Sequence, residues 1–175
     1  MTEKQNQILE AALHLFSDEG YHATSTSKVA KKAHVSEGLI FRHFNNKQGL
    51  LDAILEEGKR RLKILVLPMA NEDNPRQVIK KTLNLPFEIN ETDYAYWKLL
   101  FKLKGTQHYD DREQMKPLEQ ALTMAFTKLR YRKPELETQS LILHLDGLLM
   151  SILNKTVKNE LEFKEFLMNK YHIDV

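Results

Sequence analysis

The stretch that decides the fold is TSKVAKKAHVSEGLIFRHFNNKQGLL, running from Thr26 to Leu51. It reads as two short helical patterns separated by a turn. Val29, Ala30 and Ala33 give the first a buried side, and Ile40 and Phe44 do the same for the second. Just upstream, Thr24, Ser25, Thr26 and Ser27 offer side-chain oxygens to the amides that a helix start leaves unpaired. The first helix then extends to about Ala33. His34 and Val35 form a tight turn, and Ser36 can cap the second helix, which reaches about Phe44. Asn45 and Asn46 end it and cap a longer helix from Lys47 to about Val66, whose apolar face is Leu50, Leu51, Ile54 and Leu55.

Upstream, Ile8, Ala11, Ala12, Leu15 and Phe16 recur at helical spacing between Glu3 and Glu19, and Gly20 is a natural stop. Downstream, a break is expected from Pro68 to Asn74. Pro75 then opens a helix that Pro86 interrupts, and another fits Thr92 to Lys104 with Gly105 as its stop. The polar stretch Thr106 to Met115 reads as loop. Pro117 suits the first turn of a helix to about Tyr131, Pro134 opens a long apolar helix through Lys155, and Asn159 to about His172 forms the last. Few segments alternate as strands do. The expectation is an all-α chain of about nine helices, with no internal repeat. It divides into a three-helix head at 1–46, together with the start of a connecting helix at 47–66, and a helical domain at 67–175.

Charge concentrates in the head. Residues 21–50 hold Lys28, Lys31, Lys32, Arg42 and Lys47 against Glu37 alone, whereas Lys4 faces Glu3, Glu10, Asp18 and Glu19 in the first twenty residues. A basic segment carrying two capped short helices fits a polyanion partner: a helix is the right width for the DNA major groove, and its N-terminal residues reach base edges.

The same segment closely resembles the signature of the TetR family of transcriptional regulators. Thr26, Ala30, Ala33, Val35, Ser36, Gly38, His43, Phe44, Lys47 and Leu50 match the family pattern, and Val29 is a conservative match. The likeness covers about residues 5–65; beyond them only length and helical layout agree. Two positions depart. His34 stands where the family usually has Gly, at a turn that often needs positive φ, and His is among the side chains that tolerate it. Phe41 replaces a Tyr, so the ring is kept and the phosphate-binding hydroxyl is lost.

The resemblance implies a homodimer that binds a palindromic stretch of double-stranded DNA as a ligand-responsive repressor in the cytoplasm. Thr26 and Lys47 lie at helix N-termini that already favour phosphate, and His43 joins them as a backbone contact. Ser27 and Lys28 stand beside Thr26. Ser36, Glu37, Gly38, Leu39, Phe41 and Arg42 form the outward set of the second helix. Glu37 suits a cytosine amino group, Leu39 a thymine methyl, and Arg42 a guanine or phosphate. Under the plainer alternative, these residues merely solvate a three-helix core.

In the second half, Leu141, Leu145, Leu148, Leu149 and Ile152 with Phe163, Phe166 and Leu167 are the candidate dimer surface, since the family pairs its last two helices with those of a second copy. The alternative is that they fill the monomer core. Phe87, Tyr94, Trp97, Phe101, Met115, Met124 and Phe126 are candidates for an apolar effector pocket, or again for plain core. No cofactor is implied. His108, Tyr109, Asp110 and Asp111 have no second cluster with which to hold a metal.

Composition sets the remaining bounds. The shares of hydrophobic residues (42%) and charged residues (29%) are those of an ordinary globular protein. The absence of cysteine excludes a disulfide scaffold. The polar start Met1 to Gln7 gives no leader pattern, and no apolar run is long enough for a membrane span. No phosphate loop, dinucleotide fingerprint, zinc-protease pair or nucleophile elbow is present, which argues against an enzyme. A further alternative is an interaction protein that kept the fold and lost DNA binding.

Overall fold

The computed structural model describes residues 1–104, 106 and 108–173. Among them are nine α-helices: α1 (Glu3–Glu19), α2 (Thr26–Lys32), α3 (Glu37–Phe44), α4 (Lys47–Ala70), α5 (Pro75–Glu88), α6 (Tyr94–Leu103), α7 (Arg112–Lys128), α8 (Pro134–Leu153) and α9 (Glu160–Lys170). A 3-10 turn, Glu91–Asp93, precedes α6, and an isolated bridge joins Lys104 and Tyr109. The chain forms two compact units. The first combines Met1–Arg60 with Thr92–Asp110, the second Arg61–Glu91 with Asp111–Val175.

In the first unit, α1 begins in a reciprocal cap. The Gln5 amide donates to Thr2 Oγ1 at 3.3 Å, and the Thr2 amide donates to Gln5 Oε1 at 2.8 Å. The helix ends at Gly20, whose φ of 95° is a conformation that other residues rarely adopt. Ile8, Ala12 and Phe16 of α1 form one core with Val29, Ile40, Leu50 and Leu51, all completely buried. The His34 turn has φ 53°, the left-handed conformation expected there for a tolerant residue. Asn45, at φ 63°, ends α3. Gly49 follows in the first turn of α4, where a Cβ would stand 2.1 Å from the Phe44 carbonyl oxygen. Only glycine allows α4 to start so close to the end of α3.

The segment 92–110 joins this unit because α6 packs on α1. Trp97, Leu99, Leu100 and Leu103 are buried, Leu100 touches the position a Cβ would take on Gly58, and the Lys102 ammonium donates to the Ser17 carbonyl. A division near residue 67, as the sequence suggests, assigns this helix to the second half instead. A periodic pattern shows that α6 has an apolar face but not which helix that face covers.

The second unit is built on α5, α7 and α8, with α9 against α5. Ile79, Leu83, Leu122 and Phe126 are fully buried. The Thr123 and Thr138 hydroxyls bond across α7 and α8 at 3.0 Å, and Arg76 donates to the His172 carbonyl at 2.6 Å.

Three prolines behave differently from expectation. Pro68 lies inside α4, which continues to Ala70; Pro86 lies inside α5; and Pro117 follows the start of α7 by more than a turn. A helical proline forfeits one bond to the carbonyl four residues earlier. Pro68 and Pro86 are each two residues from a helix end. Pro117 is exposed, as is Glu113, whose carbonyl it leaves without that bond. The burial of Val66 and Met69 near Pro68, and of Leu118 and Leu122 beyond Pro117, offsets the loss. The helix expected from Thr92 starts at Tyr94. Gly105, its expected stop, lies outside the described residues. Among the described residues, no helix is long and apolar enough to cross a membrane.

Candidate nucleic-acid interface

Helices α2 and α3 are short, and each is started by a serine. Ser25 Oγ accepts from the Lys28 amide at 3.1 Å. Ser36 occupies the equivalent position on α3 without a side-chain bond, and its carbonyl accepts from the Leu39 amide at 3.0 Å. Ile40 and Phe44 anchor α3 in the core, which turns Gly38, Phe41 and Arg42 outward at helical spacing. All three are exposed, as are Ser27, Lys28 and Ser36. Thr26, Glu37, Leu39, His43 and Lys47 belong to the same surface and are less uniformly open.

Several members of this surface are held by specific partners. Thr26 Oγ1 donates to Glu37 Oε1 at 2.6 Å, tying the first residue of α2 to the first of α3. Lys28 pairs with Glu19 at 2.5 Å on the exposed side. His43 Nδ1 lies 3.5 Å from Gln5 Nε2 of α1. Lys47 Nζ sits 4.4 Å from the centre of the Tyr21 ring and donates to the His22 carbonyl at 3.3 Å. Tyr21 in turn donates its hydroxyl to Gln48 at 3.0 Å. Partial burial holds the Lys47 ammonium below the usual lysine range. The result is a cation held at the start of α4, where the helix dipole also favours an anion.

Tyr21, His22, Gln5 and Gly49 hold members of this surface in place, and the sequence reading does not single them out. For Gln5 the signal is present, because Thr2 and Gln5 have capping-box spacing. For Gly49 it is a glycine in the first turn of a helix. The Tyr21–Lys47 contact joins residues far apart in the chain, and no local pattern announces it.

Residues 8–54 match the family model described as bacterial regulatory proteins, tetR family. Over 57 residues the chain is 49% identical to the HTH-type transcriptional regulator YvkB of Bacillus subtilis, a match covering 33% of this chain and 30% of that protein. Residues 8–54 are a TetR-family segment. The TetR family is one of regulators rather than enzymes. The matched segment spans only about a third of the length of such curated relatives. The TetR-family fold extends across both units. The fatty acid degradation regulator FadR from Bacillus halodurans aligns over 97% of this chain and 94% of its own, with a TM-score of 0.70 and 21% identity. AibR, in a complex with isovaleryl coenzyme A and operator DNA, aligns over 85% of this chain and 86% of its own, also with a TM-score of 0.70 and 21% identity.

The other candidate sets fall as follows. Leu141, Leu148, Ile152 and Leu167 are buried within the second unit, and Leu145 and Leu149 are half-buried. Phe163 and Phe166 are 41% and 59% exposed, with ring centres 6.1 Å apart. Between α8 and α9 runs a groove of about 1040 Å³, lined by Leu141, Leu145, Leu148, Phe163, Phe166 and Leu167 among others. Six of the eight candidate dimer residues therefore share one surface. The seven candidate pocket residues divide between the units. Tyr94, Trp97 and Phe101 belong to the first, and Phe87, Met115, Met124 and Phe126 to the second. None of them lines the α8–α9 groove. Phe126 is fully buried against Tyr131 and Tyr171, while Met124 faces outward at 59% exposure. Among the described residues no cluster of His, Asp and Glu suits a metal.

Proposed function

We propose that the protein is a DNA-binding transcriptional regulator, a ligand-responsive repressor that grips a palindromic operator as a homodimer. The observation that carries this reading is the outward stripe Gly38, Phe41 and Arg42 on α3, flanked by Lys28, Lys31 and Lys32 on α2 and by Lys47 at the start of α4. The lysines and the amides at the helix starts hold phosphates, which positions the protein; the α3 stripe faces base edges, which supplies sequence preference. His43 contributes a backbone contact, as does the Thr26 amide at the start of α2, the Thr26 hydroxyl being held by Glu37, and Ser27 and Ser36 can add hydroxyl bonds. A two-fold dimer presents two such helices about one DNA turn apart, roughly 34–36 Å. For the dimer we assign the α8–α9 groove to a second copy. Support comes from the exposed Phe163 and Phe166 and from Gly147, around whose Cβ position there is open space.

For the effector we assign an acyl thioester of coenzyme A. AibR has been seen with isovaleryl coenzyme A together with operator DNA, and FadR is a fatty acid degradation regulator. In the second unit Phe87 and Met115 offer apolar surface for an acyl chain. Binding releases DNA only to the extent that the ligand prefers the conformation with the wrong helix spacing. Helix α4, unbroken from Lys47 to Ala70, would carry the change to Lys47.

The test is selection on randomised duplex DNA at two salt concentrations, followed by titration of the recovered complex with isovaleryl and longer acyl coenzyme A. A palindromic motif bound more weakly at high salt supports the reading, and release by a thioester supports the effector. No enriched motif would overturn the operator assignment. Undiminished binding at saturating thioester would overturn the effector.

A further inference from the structure

Phe41 is out of place for a helix that merely solvates a core. Its neighbours Ile40 and Phe44 are the core residues of α3, fully buried and 8% exposed, while the Phe41 ring is 45% exposed. Polar side chains that could read bases from the first turn are few. One oxygen of the Glu37 carboxylate accepts from the Thr26 hydroxyl at 2.6 Å, which turns that oxygen toward α2, and Gly38 has no side chain, with open space around its Cβ position. One turn of α3 thus presents a notch, an apolar ring and, from Arg42, a guanidinium, at i, i+3 and i+4. The major groove offers one apolar group along its base edges, the C5 methyl of thymine.

We propose that Phe41 is a specificity-determining residue that reads a thymine methyl in each half-site, with the Gly38 notch letting α3 approach closely enough for the contact. The inference rests on the operator reading above and adds to it the chemistry of one recognised base. Arg42, beside the ring, supplies the polar contact to the adjacent phosphate or guanine. Burying one methyl contributes about 0.8 kcal/mol, which corresponds to about a fourfold change in affinity per half-site and about fifteenfold for a two-fold dimer.

The test uses the full chain and the duplex recovered by selection, synthesised with thymidine or with deoxyuridine at each thymine in turn. Deoxyuridine pairs identically and lacks only the methyl. Wild type is expected to lose about fourfold per half-site at one thymine position and little at the others. Phe41→Ala, an exposed change that should leave the melting temperature in place, is expected to bind both duplexes equally while keeping the wild-type salt dependence. Equal binding of wild type to both duplexes overturns the proposal. So does a Phe41→Ala variant that weakens both by the same factor and keeps the wild-type methyl preference, because the ring would then be packing on the sugar-phosphate backbone. Failure to recover any motif with wild type would overturn the operator reading itself, an outcome distinct from either of these.

Discussion

The Thr26 hydroxyl and the Glu37 carboxylate meet at 2.6 Å across the turn between α2 and α3. Each lies at the start of its helix, so this bond ties the two helix starts together. Hydrogen bonds to charged groups typically contribute about 1.5–3 kcal/mol, and a partly buried pair falls toward the lower end. Thr26→Val and Glu37→Gln should each destabilise the protein by about 1 kcal/mol. The double variant should cost less than the sum, with a coupling of about 0.5–1 kcal/mol in urea denaturation. Strict additivity would mean that the bond does not contribute in solution.

Lys47→Ala should weaken binding to every DNA sequence by a similar factor. It should also flatten the plot of log affinity against log salt by about one unit per protomer, because one phosphate contact is lost. Fluorescence anisotropy at several salt concentrations measures both. An unchanged slope would remove Lys47 from the backbone contacts.

Gly49 and Gly38 should respond oppositely to alanine. At Gly49 the added methyl would meet the Phe44 carbonyl oxygen at 2.1 Å, and relieving that contact requires movement of backbone. A loss of about 1–3 kcal/mol is expected. Gly38 has open space, so alanine there should stabilise by up to about 1 kcal/mol through helix propensity while weakening DNA binding. Thermal melts paired with anisotropy separate the two effects.

Phe166→Glu would place a carboxylate on the apolar groove between α8 and α9. The variant should remain folded, since Phe166 is exposed, yet sediment as a monomer and lose most of its operator affinity. A variant that sediments like wild type would relocate the dimer surface.

Alkaline stability provides a check on the second unit. Burial, and secondarily the nearby Glu137, pushes the Tyr171 phenol above its ordinary value of 10.0, and Tyr131 is raised by the same causes in the same order. A group whose folded pKa is raised contributes stability that is intact below the unfolded pKa and is lost as pH climbs through the folded one. Stability should therefore decline from about pH 10 upward, and Tyr171→Phe should make that decline shallower in urea denaturation at pH 9, 10 and 11.

Much of the head was legible because its signals are local. Gly20, Ser25 and Ser36 mark helix ends through chemistry that acts within a few residues, and His34 revealed its positive φ by standing at a turn. The prolines misled because their cost is local while the compensating burial of Met69 or Leu122 is not. The α8 pattern was ambiguous for a different reason. It is apolar on several sides, so sequence could not tell Leu141 and Ile152, turned into their own unit, from Leu143, which faces outward. The site was legible as a set of residues but not as a set of bonds. Nothing near Thr26 indicates that its hydroxyl will be claimed by Glu37.

The first unit is assembled from two separate stretches of chain, and this bears on the order of synthesis. When Arg60 has been made, α1 and α4 still lack Leu99, Leu100 and Lys102, and Arg61–Glu91 of the other unit is translated before them. At about 5–20 residues per second the nascent reading head spends a few seconds with that apolar flank uncovered. A fragment cut near residue 66 would hold the head permanently at this stage. Such fragments should be aggregation-prone on the ribosome and in the test tube, and a minimal DNA-binding piece would need α6 spliced back onto α4 through a short linker.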